Sequence, residues 1–529
     1  MHRNSDHSTS NVTGFSTKAI CILFTAIMIW TLFLLVGFHE TADVYTSGHF
    51  FMEDGGFLII GCAVVYLLYC WNKRSGIRIE AFLQKHHRTL LVLSLVILLV
   101  WQLYACFGGY FSTGWDAQVI RETVLNEVNG DYEAIKNWYF SAFSNNIFLV
   151  WIYTQVVTLV DRTVGIGLEY SMVAFQCLLD VCTVYLTYRI AFDLFHSYRA
   201  AWLTYVVAYL FVGLSPWFII VYSDATGIVL PVLLIRLYQK GQYQTTKGRS
   251  LTLFAILGFF AMAGFYLKPQ IFITAIAMVL VSISTLVSKN KNTFQITLRK
   301  LGAGILGAVL FLGIYHSLIV PSLHLNIDKE RAISWPHYLM MGLNDTTDGV
   351  YFSDDVVYST QFATRKERNA ADLEVARQRI SDYGFSGMVR HLSRKEIVNY
   401  GDGTFAWGVE GSFFGEIPSW ANNRVSPLMH EILFPEGKLF MTVTSCQQLF
   451  WITILAMCMF AAKTKKKEAV EPHQENVENV IFLSLIGLTL FELIFEARAR
   501  YLFCYAPVFV LTAVLGVRNL FYCVQAKEG

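Results

Sequence analysis

Long apolar runs recur along almost the whole of this chain, separated by shorter basic or polar segments. A run of roughly 17–25 apolar residues is long enough to cross the hydrocarbon core of a bilayer as a helix. Such runs lie near residues 19–38, 56–71, 89–107, 165–188, 200–215, 218–238, 251–267, 270–287, 301–320, 440–462, 479–496 and 499–517. Lipid offers no partner to backbone N–H and C=O groups, so runs of this kind must close their hydrogen bonds within helices. The expected fold is therefore an all-α polytopic membrane protein of about twelve transmembrane helices. Composition agrees. Of the 529 residues 55% are hydrophobic and only 15% charged, where soluble chains carry about 25%. A net charge of +2 gives no bulk attraction to nucleic acid. The ten cysteines lie in or beside apolar runs, without the spacing of a zinc site or a disulfide framework, and read as small apolar fillers.

The first run, Ala19–Phe38, is longer than the apolar core of a signal peptide and no small-residue cleavage site follows, so it reads as a retained span. Ile147–Val160 spans about 14 residues, which suits a segment lying in the membrane interface. If that segment does not cross, the basic loops fall on one side: Lys73 to Arg88, Arg189 with Arg199, Lys240 to Arg249, Lys289 to Lys300, and Lys463 to Lys467. Cytoplasmic loops carry such an excess of Lys and Arg. The chain then divides into an N-terminal pair of spans (1–88), a membrane core (89–320) containing a first outer loop (108–164), a large outer loop or cap (321–439), and the C-terminal spans (440–529).

Charge at the outer face is sparse and specific. Asp116, after Trp115, follows the third span and opens an amphipathic stretch, Ala117–Val128, with Ile120, Val124 and Val128 at helical spacing. A carboxylate at the mouth of a membrane bundle suits general-base work, although Asp is also common as a helix cap. Asn145-Asn146 precede the interfacial segment, and Tyr222-Ser223-Asp224 place a second carboxylate at the outer end of the sixth span. Ionisable groups beside spans are costly and point to function or to pairing. Lys268-Pro269-Gln270 forms the next outer turn, and Glu496-Ala497-Arg498-Ala499-Arg500-Tyr501 the last. Lys supplies a point charge to phosphate and Arg a planar fork, while Glu496 and Arg500 also stand at salt-bridge spacing on a helix. Asp180 and Glu492 lie within spans, where buried pairing is the simpler reading. Gly302 to Gly307 matches a GxGxxG pattern inside an apolar helix, so its small residues read as helix packing. Trp407, Asp402 and Glu410, among Gly401, Gly403 and Gly408, form a polar segment of the second loop that is either an acceptor contact or a plain surface turn.

The order of these features resembles the GT-C superfamily of membrane glycosyltransferases, in particular the branch of protein O-mannosyltransferases and aminoarabinose lipid A transferases. An acidic residue after an early span (Asp116) precedes an interfacial helix. Tyr188-Arg189-Ile190-Ala191-Phe192-Asp193-Leu194-Phe195 with Arg199-Ala200-Ala201 resembles that branch's inner loop. Ser215-Pro216, Tyr222-Ser223-Asp224, Lys268-Pro269 and Arg498-Ala499-Arg500-Tyr501-Leu502 with Pro507 follow in the same order. The likeness covers residues 89–320 and 440–517. Two spans rather than one precede it, Asn145-Asn146 replaces a proline pair, and Asp116 has no acidic neighbour.

The resemblance implies a divergent bacterial plasma-membrane enzyme that moves a sugar from a polyprenyl-phosphate donor to an envelope acceptor at the outer face. It implies inversion, with no nucleotide cofactor and no metal. On that expectation Asp116 and Asp224 are catalytic, Lys268, Arg498, Arg500 and Tyr501 bind donor phosphate, and Trp115, Tyr222, Asn145 and Asn146 contact substrate. Membrane lipids are the remaining partners. A transporter or flippase of lipid-linked envelope intermediates is the competing class. It favours repeated halves and charges at the bilayer midplane, whereas here no repeat is evident and the polar groups gather at one level.

Overall fold

The computed structural model describes residues 5–38, 50–244, 246–286, 291–407, 417–462 and 472–528. Helices dominate, and no strand occurs among the described residues. In chain order the helices are α1 (Ser5–Phe38), α2 (Asp54–Gly109), α3 (Trp115–Asn129), α4 (Asn137–Ala142), α5 (Ile147–Val164), α6 (Leu168–Phe195), α7 (Tyr198–Ala208), α8 (Ser223–Gly227), α9 (Val229–Tyr243) and α10 (Lys247–Leu267). There follow α11 (Phe272–Leu286), α12 (Lys291–Ile314), α13 (Trp335–Gly342), α14 (Ser353–Thr360), α15 (Arg365–Tyr400), α16 (Ser426–Leu433), α17 (Phe440–Cys458), α18 (Pro472–Ile494) and α19 (Ala506–Glu528). Lys289, Lys463 to Lys467, Gly408 and Glu410 lie outside the described residues.

Among the described residues ten helices are long and apolar enough to cross a membrane. The expected twelve runs differ from these ten for local reasons. The runs 56–71 and 89–107 belong to one 56-residue helix, α2, because the basic stretch between them holds good helix formers and no proline. The runs 200–215 and 218–238 are broken into short pieces. After α7 the backbone passes through a π-turn at Tyr209–Gly213 and a 3₁₀ turn at Pro216–Ile219 before α8 and α9. Pro216 cannot continue the helical hydrogen-bond ladder. Gln102 of α2 donates to the carbonyl of Gly213 (2.8 Å) and to Asp180 of α6 (2.5 Å), so the break and a buried carboxyl share one partner.

Helix α5 also meets the length criterion, yet its contacts place both ends at one level. Its start adjoins Asn146, which bonds Tyr139 of α4. Its end lies three residues from α6, through Gly165 and Gly167, both at positive φ. Three residues span at most roughly 14 Å between helix ends. The first turn of α6 carries Glu169, ion-paired with Arg121 of α3. Helix α5 therefore leaves and rejoins the same end of the bundle, the end that carries Asp116.

Glycines set the closest helix crossing. A Cβ on Gly258 of α10 would collide with the carbonyl of Gly304 in α12, and one on Gly307 with that of Ala255. Gly304 and Gly307 of the GxGxxG pattern thus serve backbone contact between α10 and α12, as small residues do in membranes, whereas Gly302 faces open space.

The described residues of 321–439 include the helices α13 to α16. Thr364 and Glu367 form a capping box at the start of α15. Arg368, 2% exposed, donates to the carbonyls of Ser359, Glu330, Ala332 and Phe362. Gly384 (φ +54°) kinks α15, and the second half enters the bundle. There Glu396 accepts from Thr31 of α1 (2.5 Å), and Tyr400 bonds Thr489 of α18 (2.7 Å).

Candidate functional site

Three interruptions of the membrane helices occur at one end of the bundle, and each delivers charged side chains to the same place. The first is the 3₁₀ turn and bend before α8, which presents Tyr222 and Asp224. The second follows α10, where Lys268 is extended and Pro269 begins a 3₁₀ turn. The third runs from the end of α18 through a 3₁₀ segment at Ala499–Tyr505. Irregular backbone at membrane depth persists only where protein or a cavity covers it.

Asp116 stands at the start of α3 and accepts from the Tyr222 hydroxyl at 3.1 Å. Tyr139 lies beside Asp116. The Tyr139 hydroxyl in turn accepts from Asn146 Nδ2 at 2.6 Å. Burial, with Asp116 and Tyr222 beside it, pushes the Tyr139 hydroxyl well above its ordinary range, so it stays a donor. One phenol thus bonds the carboxylate of Asp116, and a second, held by Asn146, lies beside it. The preceding residue, Trp115, has φ +43°, a left-handed conformation that costs a non-glycine residue about 1–2 kcal/mol. Its ring meets Tyr222 edge to face at 4.8 Å.

Arg500 joins these groups to the last turn. Its guanidinium carbon lies 4.8 Å from the Trp115 ring centroid and 5.3 Å from those of Tyr222 and Tyr501. Lys268 stands 4.8 Å from the same Tyr501 ring and forms a buried ion pair with Asp224. Asp116 and the two cations are thereby linked through Tyr222 and Tyr501. Several polar atoms in the cluster are buried without a hydrogen-bond partner among the described residues: Trp115 Nε1, Asp224 Oδ2 and both oxygens of Glu492. Orphaned buried polar atoms are rare and call for a ligand or water.

The expected residues are not all used alike. Asp224, fully buried, is held by Lys268, so it sets the lysine and is not open to a substrate. Asn146 is 1% exposed and stands behind Tyr139, and the half-buried Asn145 bonds Asn146 (3.5 Å). Glu496 lies 4.0 Å from Arg498, and because α18 ends at Ile494, Glu496 and Arg500 do not share a helical turn. Asp402 caps its own turn by accepting from Thr404 and Ala406, and Trp407 donates to Gln447. Both are buried, which removes them as flexible acceptor contacts. Asn344, a match to a glycosylation acceptor, is 3% exposed and donates to Asp355, so its amide is not presented to solvent.

Tyr139, Lys395 and Asn399 escape a reading of the sequence. Tyr139 is one of 27 tyrosines, and nothing in its spacing sets it apart. Lys395 lies in a stretch as charged as any solvated helix, yet it is wholly buried.

No curated protein matches the chain. A family model described as "conserved hypothetical integral membrane protein" matches residues 12–520, and the chain belongs to that family.

Proposed function

We propose that this protein transfers a sugar from a polyprenyl-phosphate donor to a hydroxyl of an envelope acceptor, at the outer face of a bacterial plasma membrane. The observation that carries the reading is the shared ring of Tyr222, which bonds Asp116 on one side and lies against Arg500 on the other. A base and a phosphate-binding cation set this close can act on one glycosyl phosphate. Asp116 takes the proton of the acceptor hydroxyl as its oxygen bonds to the anomeric carbon. The carbon–oxygen bond to phosphate breaks on the opposite face, and the electron pair leaves with polyprenyl phosphate. Arg500 and Lys268 stabilise the charge that grows on that phosphate. The resemblance to GT-C enzymes supports the same assignment, and the orphaned Trp115 Nε1 offers a donor to the sugar or phosphate.

The test uses full-length protein in vesicles containing a labelled polyprenyl-phosphate sugar, supplied with a crude envelope fraction. Release of polyprenyl phosphate is measured for the wild type and Asp116→Asn. A drop of about 100-fold or more is expected, the usual scale for removing a general base. Equal release by the two proteins removes Asp116 from catalysis. Movement of intact donor between leaflets without bond cleavage sinks the transferase reading in favour of a flippase.

A further inference from the structure

We infer that Lys395 is a positioning residue that sets the geometry of the phosphate-binding turn carrying Arg498, Arg500 and Tyr501, an inference that rests on the function proposed above. Lys395 comes from the second half of α15, far from the turn in sequence, and is fully buried. Its ammonium donates to the carbonyls of Gly342 (2.7 Å), Leu493 (2.9 Å) and Phe495 (2.5 Å). Leu493 is in the last turn of α18 and Phe495 lies just beyond it, where carbonyls have no partner within the helix. A cation at a helix C-terminus also opposes the helix dipole. One side chain therefore stops α18 and fixes where the chain departs from it.

Two further contacts pin the residues that follow. The amide of Ala497 donates to the carbonyl of Gly349 at 2.8 Å, and the amide of Arg498 to Asn399 Oδ1 at 2.8 Å. Asn399 is one helical turn after Lys395 on α15, so both face the same strip of backbone. Gly342 and Gly349 allow the approach. A Cβ on Gly342 would collide with the carbonyl of Phe495, and one on Gly349 with the Lys395 side chain. From Leu493 to Arg498 the backbone is thus clamped from the 321–439 segment, and Arg500 leaves that clamp two residues later. The buried ammonium is a costly way to cap a helix, which is reasonable where a specific turn geometry is required.

The experiment compares full-length wild type, Lys395→Met, Asn399→Ala, Arg500→Ala and the double variant Lys395→Met/Arg500→Ala. Two quantities are read: amide hydrogen exchange over residues 493–501, and affinity for sugar-free polyprenyl phosphate in nanodiscs. Lys395→Met is expected to speed exchange in that turn by roughly 10–100-fold, the scale of a lost charged hydrogen bond. Its affinity should fall about tenfold or more. The double variant should bind no worse than Arg500→Ala alone, because both changes act through one group. Unchanged exchange in Lys395→Met, or strictly additive losses of affinity, overturns the inference and leaves the phosphate site standing. Should Lys395→Met fail to fold, Asn399→Ala carries the same two readouts in a milder form. Equal affinity of the wild type and Arg500→Ala overturns the phosphate reading itself, and the inference with it.

Discussion

The ion pair between Lys268 and Asp224 provides a sharp test of how the site is held together. Asp224 is fully buried and Lys268 nearly so, and the second oxygen of Asp224 has no hydrogen-bond partner among the described residues. Lys268→Met would leave a carboxylate in a low-dielectric interior with no cation in contact. Breaking a buried pair in this way costs about 3–5 kcal/mol. Asp224→Asn should cost less, about 2 kcal/mol, because Lys268 keeps its place over the Tyr501 ring, a contact worth roughly 0.5–2 kcal/mol. The double variant Lys268→Met/Asp224→Asn removes both charges together and should lose only about 1–2 kcal/mol. The stability order, from most to least, is therefore wild type, double variant, Asp224→Asn and Lys268→Met. Thermal unfolding midpoints in one detergent rank the four proteins. The same four assayed for polyprenyl phosphate release should show no recovery of activity in the double variant, since the cation is gone. Additive stability losses in the double variant would refute the reasoning, because they would mean that the two charges do not compensate each other.

Tyr222→Phe removes the phenol that bonds Asp116 and should lower turnover about 5–10-fold, the worth of one hydrogen bond. An unchanged rate in a steady-state assay would show that this bond is not needed. Arg500→Lys replaces a planar cation stacked among three rings by a point charge, and should raise the KM for donor about tenfold. Equal KM values would deny the rings a role in placing that charge. In the 321–439 segment burial lowers His337 and His391 to about 4. A histidine neutral in the fold binds more protons when unfolded, so this segment should lose stability as pH falls from about 6.5 towards 4. Hydrogen exchange over 335–400 at pH 7 and 5 measures it, and the double variant His337→Gln/His391→Gln should flatten the dependence.

The membrane class of the fold was legible because each apolar run is a separate, strong signal, as at Ala19–Phe38 or Lys247–Leu267. Hydropathy divides helix α2 into two runs because it registers the basic middle as a loop, although Lys, Arg and Glu are good helix formers. The pieces α7 to α9 were read as two spans because hydropathy does not register a π-turn. At the site, Asp116, Asp224, Lys268 and Arg500 stood out because charge beside lipid is expensive. Their partners did not. Which tyrosine meets Asp116, and which of the four lysines of 321–439 turns inward, depends on contacts between residues about a hundred positions apart. Lys395 and Leu493 show the limit: the bond joining them leaves no local trace in either stretch of sequence.

Helix α5 enters and leaves at a single end of the bundle, and this changes the bilayer around it. A helix laid in one leaflet displaces lipid there and none from the opposite leaflet. With 18 residues it is about 27 Å long and about 10 Å wide, a footprint of roughly 270 Å². Under that footprint the hydrocarbon is a single leaflet deep, about half of the usual ~30 Å. The flank involved is marked by Phe148 of α5 against Phe311 and Tyr315, with Tyr266, two residues before Lys268, tilted against Tyr315. On the function proposed above, the isoprenoid tail of the donor would meet the protein along this flank, where the lipid layer is thinnest.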